Sequence, residues 1–250
     1  MLAQQYLDAI QRIAGDLGDD LPQLAALGDQ IAGRILDGGV FYVYDNGHLL
    51  TSELFNRAGG LALMAPIHLT RPRFGSDAVR RGGEPAAGSA DVVAAEEDLV
   101  LARMAVQHAG VRSGDVVLLG SVSGRSPLVV EMAREAARRG ALTIALTALA
   151  YARTLPPAHP SGQRLDNAVD VVLDNHTTVG DAEVDVPGLA EKLLPSSGVS
   201  AALVAWCLVG EVVEHLLTRG IEPTVFRSIN YPDGPERYRA AVARYRERGY

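Results

Sequence analysis

Apolar residues recur along this chain at two spacings, and the spacing changes with position. Over residues 2–17 and 21–36 the period is helical. Leu24, Leu27, Ile31 and Ile35 return at intervals of three and four, and Asp37-Gly38-Gly39 ends the second stretch. Two N-terminal helices are expected. From residue 40 short continuous apolar runs take over: VFYVY (40–44), VVLLGS (116–121), LTIALTA (142–148) and VDVVLDN (169–175). Runs without polar alternation suit strands buried on both faces of a parallel sheet. Helices are predicted over 49–57, closed by Gly59-Gly60, over 127–139 and over 197–219. Strands alternating with helices imply βαβ units and a sheet covered on both sides.

Two stretches break the pattern. Residues 71–90 and 152–166 are rich in Gly, Pro and Arg and read as long loops, either lids, subunit contacts or surface excursions. The C-terminal RYRAAVARYRERGY reads as a solvated helix with Tyr238, Val242 and Tyr245 on one side. Three units are expected: N-terminal helices over 1–36 packing on the domain or on a dimer partner, a central domain over 37–220, and an extension over 221–250.

Composition narrows the function classes. Of 250 residues 48% are hydrophobic and 21% charged, enough to fill a core, and the net charge is −7. An acidic chain lacks the basic face that a nucleic-acid binder needs, so no nucleic-acid partner is expected. A small anion needs only local positive potential and remains open. The lone Cys207 allows neither an internal disulfide nor a cysteine-based zinc cluster. Charges interrupt the opening twenty residues, and the longest apolar stretch (199–210) is too short to span a bilayer. A cytoplasmic protein with no membrane partner is expected.

The densest chemistry lies at GSVSGRSP. Ser126 stands before Pro127, in the N-cap position with proline first in the helix. The first-turn amides have no intrahelical acceptor, and the helix dipole makes that end positive. A phosphate there would take bonds from the amides and from Ser121, Ser123 and Ser126, with Gly120 and Gly124 letting the backbone come close. The loop is neither a P-loop nor a dinucleotide motif. It is either a well-capped helix after a tight turn or a phosphate cradle without a nucleotide signature.

GSVSGRSP followed by an amphipathic helix resembles the central loop of the SIS (sugar isomerase) domain. YDNGHLLTSELFNRAGG is similar to the first strand, loop and helix of that domain, and PSSGVSAALVAWCLVGEVVEHLLTRG to the entry into its last helix. LTALAYARTLPPAHPSGQRL and VDVVLDNHTTVGDA resemble segments of small stand-alone SIS proteins. The resemblance implies a three-layer α/β/α sandwich around a mostly parallel five-stranded sheet, a homodimer or dimer of dimers, and a sugar phosphate ligand without an organic cofactor or metal. It assigns the ligand to Gly47, Ser121, Ser123, Gly124 and Ser126, with Ser196 and Ser197 as weaker additions; Lys192, by its position just before PSSG, is either a further phosphate contact or an exposed lysine. The first loop departs from the family pattern, since Asp45-Asn46-Gly47-His48 leads into Leu49 where a serine is common. An added carboxylate there repels a phosphate unless it faces a sugar hydroxyl.

Moving a carbonyl between sugar carbons takes a base for the carbon-bound proton and an acid for the oxygen. Glu53, one turn beyond the DNGH loop, is the candidate base. The alternative is a salt bridge to Arg57 at i+4. His48 in the loop is a candidate for ring opening or proton shuttling. His176, after the fourth run, either joins the chemistry or holds its loop by a backbone bond. His108, His159 and His215 are expected in solvated segments. Three functions remain open: a sugar-phosphate isomerase working through an enediol, a non-catalytic phosphosugar sensor, and a fold that has lost its ligand. Within the first, ether cleavage or amine transfer on a sugar phosphate is also compatible with the fold.

Overall fold

Side chains of the strand β1 (Phe41–Asp45) alternate between two layers, and that alternation sets the plan of the molecule. Phe41 and Val43 enter one apolar cluster, Tyr42 and Tyr44 the other. In β3 (Val116–Gly120), Val116 and Leu118 point to the first layer and Val117 and Leu119 to the second. Both strands are buried throughout, as continuous apolar runs require. With β2 (Met64–Pro66), β4 (Leu142–Thr147) and β5 (Val171–Asp174) they form a five-stranded, wholly parallel sheet of order β2-β1-β3-β4-β5. The computed structural model describes residues 1–47, 49–55, 57–69 and 89–250.

The first layer is closed by α1 (Leu2–Leu36) and by a helix over Ser197–Thr218, whose Leu24, Leu27, Ile31, Val204, Leu208 and Val212 share one core. Gly28 lets the two helices touch: a Cβ there would sit 2.6 Å from Glu211 Cβ. The second layer is closed by α3 (Ser89–Ala109) and α4 (Pro127–Arg138), through residues such as Ala102, Val106, Leu128 and Met132. This is the expected α/β/α sandwich. Between α1 and α3 lies one turn of helix, α2 (Thr51–Leu54), and after β4 another, α5 (Leu149–Ala152). A two-stranded antiparallel hairpin, β6 (Ala182–Val184) and β7 (Leu193–Pro195), leads into α6, the helix over Ser197–Thr218. The chain ends in α7 (Gly234–Arg248). By length and composition α6 would cross a bilayer, yet Ala201, Val204, Ala205 and Leu208 are buried inside the fold.

The pattern reading needs five corrections. One helix, α1, runs where two were expected, passing through Pro22. Proline removes one amide donor, but Leu17 before it and Leu24 after it are buried in the same layer, and that burial outweighs the lost bond. The helix over 49–57 shrinks to α2 because Phe55 turns extended (φ −99°, ψ 145°). Strand β2 and helix α3 have no counterpart in the pattern. The first is three residues with a proline, and the second buries small alanines while Val100 and Met104 face solvent. The C-terminal helix is not wholly solvated, since Ala241 is buried and Tyr245 packs on the first layer. Of the expected irregular stretches, residues 71–88 lie outside the described residues.

The fifth correction is His159. It is buried, 7% exposed, in the loop that precedes β5. Its Nε2 lies 3.1 Å from Glu131 Oε2, and its Nδ1 accepts the Ser161 amide at 3.0 Å. Glu131, on α4, also accepts from Arg103 at 3.0 Å and Arg138 at 2.8 Å. Burial holds the His159 ring below its ordinary pKa, outweighing the nearby Glu131 carboxylate. Burial pushes the Glu131 carboxyl up, but hydrogen bonds from Arg138, Arg103 and His159 bring it below its usual value.

Two outcomes follow from this packing. Gly28→Ala should cost about 1–3 kcal/mol by forcing α1 off α6, read as a lower urea midpoint; an unchanged midpoint would mean that the two helices separate freely. His159 and Glu131 both bind protons more weakly folded than unfolded, so their contribution is complete above about pH 6.5 and is lost as pH falls. Glu131→Gln should cost about 3 kcal/mol near neutral pH and flatten the acid slope of stability. A slope equal to that of the parent chain would contradict the assignment.

Candidate functional site

The strand order reverses at β1 and β3, so the loops leaving their carboxyl ends diverge and open a crevice there. Asp45 ends β1 opposite Gly120, which ends β3. Glycine fits closely at 120, since a Cβ there would lie 3.0 Å from both Asp45 Cβ and Leu50 Cδ1 and would press on both side chains. Asp45 is 7% exposed, and its Oδ2 accepts the amides of Leu50 (2.9 Å) and Thr51 (2.6 Å), starting α2. Among the described residues its Oδ1 is buried with no partner, and so is Nδ2 of Asn175, just beyond β5. Buried polar atoms left unpaired are uncommon and costly, and these two lie at the same edge of the sheet.

The serine loop follows β3 at that edge. Ser121 is buried, and its amide continues the sheet by donating to Leu146 O at 3.0 Å. Gly124 adopts φ +58° and packs on β4 and the loop before β5, where a side chain would press on Thr147 Oγ1 at 3.3 Å. Its carbonyl accepts the Leu165 amide at 2.8 Å, which anchors the loop. Arg125 turns away and donates to Pro156 O at 3.0 Å. Ser126 is the N-cap residue of α4, yet its hydroxyl makes no cap bond. Among the described residues the hydroxyls of Ser121, Ser123 and Ser126 have no hydrogen-bond partner. They belong to the loop that leads into a helix start whose Leu128 and Val129 amides, after Pro127, have no intrahelical acceptor.

Glu53 stands on α2, facing α6. With Leu49 it forms one wall of a 390 Å³ cavity whose other wall is the first turns of α6, from Gly198 to Trp206. Both carboxylate oxygens are engaged: Oε1 accepts the Trp206 indole N–H at 3.3 Å, and Oε2 pairs with Arg57. The salt bridge weighed for Glu53 is therefore present, and the residue also lines a cavity. Trp206 escaped the sequence reading. The signal was its being the lone tryptophan on a helix of small residues.

Most of the other candidates are engaged by partners outside the serine loop. His176, at φ +56°, directs Nε2 to Asp20 on α1 at 2.6 Å, so it ties the β5 end to the N-terminal helix. Lys192 is half-exposed before β7 and pairs with Asp185 at 3.4 Å. Ser196 and Ser197 are fully buried at the start of α6 with both hydroxyls occupied. Ser196 donates to Glu183 at 2.6 Å, and Ser197 donates to Asp181 at 2.8 Å through Oγ and again through its amide. Gly47 is exposed at φ +150°, a conformation that favours glycine. His48 lies outside the described residues.

A sequence profile of the SIS domain matches residues 5–148. The UPF0309 protein of Geobacillus kaustophilus is 31% identical over 250 residues, covering 99% of this chain and 95% of that one. That of Shouchella clausii is 32% identical over 242 residues, covering 96% and 94%. Among solved structures, the phosphoheptose isomerase of Francisella tularensis is 18% identical at a TM-score of 0.48, covering 84% of this chain and 95% of that one. The phosphoheptose isomerase of Neisseria gonorrhoeae is 15% identical at 0.48, covering 86% and 96%. At that distance the structural likenesses carry no argument about ligand or chemistry.

The closed hydroxyls at the start of α6 predict a stability effect. Asp181→Ala removes two bonds to Ser197 and should destabilise the chain by about 1–2 kcal/mol. Thermal unfolding checks this, and an unshifted midpoint would show that Asp181 does not hold the helix start.

Proposed function

The chain belongs to the SIS-domain family, and from that premise we propose that it binds a small sugar phosphate and isomerises it between aldose and ketose forms. The observation that carries this reading is the serine loop: three hydroxyls without partners in the loop that leads into the open N-terminus of α4. A dianionic phosphate gains charge-assisted bonds there from hydroxyls and amides, within the positive end of the helix dipole. The unpaired Asp45 Oδ1 supports a polyhydroxyl ligand at the same edge, because a carboxylate oxygen accepts a sugar O–H and repels a phosphate.

In this reading the phosphate is held at the serine loop and the sugar chain extends toward the cavity of Glu53. The Glu53 carboxylate removes the proton from the carbon next to the carbonyl, and the carbonyl oxygen takes up a proton, giving an enediol. Glu53 then gives that proton to the former carbonyl carbon, and the hydroxyl on the carbon first deprotonated loses its own proton, leaving the new carbonyl there. His48 serves the oxygens in this scheme, and His176 keeps the β5 end in place through Asp20. No organic cofactor takes part. A cytoplasmic homodimer or dimer of dimers belongs to the same proposal.

One observation favours a second reading, binding without turnover. Arg57 and Trp206 between them engage both oxygens of Glu53, so the carboxylate is held away from a substrate carbon. The two readings separate in one experiment. Fructose 6-phosphate, glucosamine 6-phosphate and other sugar phosphates are tested for binding by thermal shift and for deuterium uptake from solvent. Isomerisation predicts uptake by the ligand that binds, lost in Glu53→Gln with binding retained. Binding without uptake supports the sensor reading. Ser121→Ala with Ser123→Ala should weaken binding about ten-fold or more; full affinity in that variant would remove the phosphate cradle from the account.

A further inference from the structure

A second cavity opens on the far side of the Glu53–Arg57 pair. It has a volume of 550 Å³ and is walled by Arg57, Phe226, Arg227, Ile229, Tyr238 and Arg239. Its framework is well fixed. The backbone of Phe226 exchanges bonds with the glycines after α2, Gly59 donating to Phe226 O at 2.8 Å and Phe226 donating to Gly60 O at 2.9 Å. The Phe226 and Tyr238 rings stack with centroids 5.2 Å apart, which joins α7 to this segment. The Arg227 guanidinium lies 4.5 Å from the centre of the Tyr231 ring.

The charge here is opposite to that of the chain. Arg57 and Arg227 line the cavity paired with Glu53 and Asp233, and Asp233 is shared with Arg237 at 3.0 Å. Arg239 also lines it, and among the described residues it makes no ion pair. Three guanidiniums thus line the cavity, and the two carboxylates that pair with them, Glu53 and Asp233, stand outside its lining, Asp233 being shared with Arg237, in a protein of net charge −7. A local excess of that sign attracts an anion, and guanidiniums suit phosphate oxygens. The remaining walls are apolar and aromatic, with Ile229 left 61% exposed. A bare phosphate does not use such walls, and the volume is in the range of sites for small organic ligands.

We propose that this cavity binds a small organic phosphate with a planar or apolar portion, of which a nucleoside monophosphate is the simplest representative. The phosphate meets Arg57, Arg227 and Arg239, and the planar portion lies against the walls formed by Phe226, Ile229 and Tyr238. Arg57 lines this cavity and pairs with Glu53, which lines the other, so an anion that engages Arg57 draws it from Glu53. Occupancy then frees one oxygen of the candidate base. The binding site stands without the preceding reading, whereas this coupling rests on the role given there to Glu53.

The test is isothermal titration of AMP and of adenosine into the full chain, into Arg239→Ala and Arg239→Glu, and into the Ser121→Ala/Ser123→Ala variant. The proposal expects AMP to bind and adenosine to bind at least ten-fold more weakly. It expects Arg239→Ala to lose about ten-fold in AMP affinity, Arg239→Glu to lose more, and the serine variant to retain it. Absence of AMP binding overturns the proposal, as does equal affinity for adenosine or full affinity in both Arg239 variants. AMP binding lost only in the serine variant also overturns it and leaves the serine-loop reading intact.

Discussion

Burial of the sheet on both faces is the constraint on which the rest of this structure depends. Phe41 and Val43 are committed to one layer, Tyr42 and Tyr44 to the other, and Val116 through Leu119 divide in the same way. Apart from Asp45 at the very end of β1, no side chain within these two strands remains for chemistry. Functional groups are driven to the edge where the strands end, and the reversal of strand order at β1 and β3 opens that edge. Asp45, Ser121 and the serine loop lie there because the packing leaves nowhere else in the sheet for them.

Two sets of serines show what that edge does with polar groups. At the start of α6, Ser196 and Ser197 are saturated by Glu183 and Asp181, and Arg12 in turn engages Glu183 at 3.0 Å. Those hydroxyls secure a helix start and a hairpin against α1. At the start of α4 the hydroxyls of Ser121, Ser123 and Ser126 serve no such purpose, and even the N-cap position goes without its side-chain bond. A cap of that kind is worth about 1 kcal/mol. Leaving it unmade beside open amides, in a loop anchored through Gly124 and Arg125, is what the proposed phosphate site requires.

The sheet was legible because its strands are continuous apolar runs, and four of its five strands can be read directly. The fifth, β2, is short and ends in Pro66, so it carries no pattern of its own. Helix α3 was hidden because its core contacts are mostly alanines, with Val106 the one larger side chain buried among the described residues, while Val100 and Met104 face solvent. Pro22 suggested a break that burial of the flanking leucines overrides. The serine loop could be found from its residues alone, since small hydroxyls before a proline-started helix point to an anion by local chemistry. The state of Glu53 could not. Its partner Trp206 is 153 positions away, and only the fold brings the indole to the carboxylate. The same holds for His159 and Glu131, and for His176 and Asp20.

The central claim is that the hydroxyls and amides at the start of α4 hold a phosphate. Amide hydrogen exchange of the full chain, with and without saturating fructose 6-phosphate, tests it most directly. The account predicts slower exchange over residues 121–130, with Leu128 and Val129 among the protected amides. Protection confined to other segments, or none from this or any other sugar phosphate that binds, would contradict it.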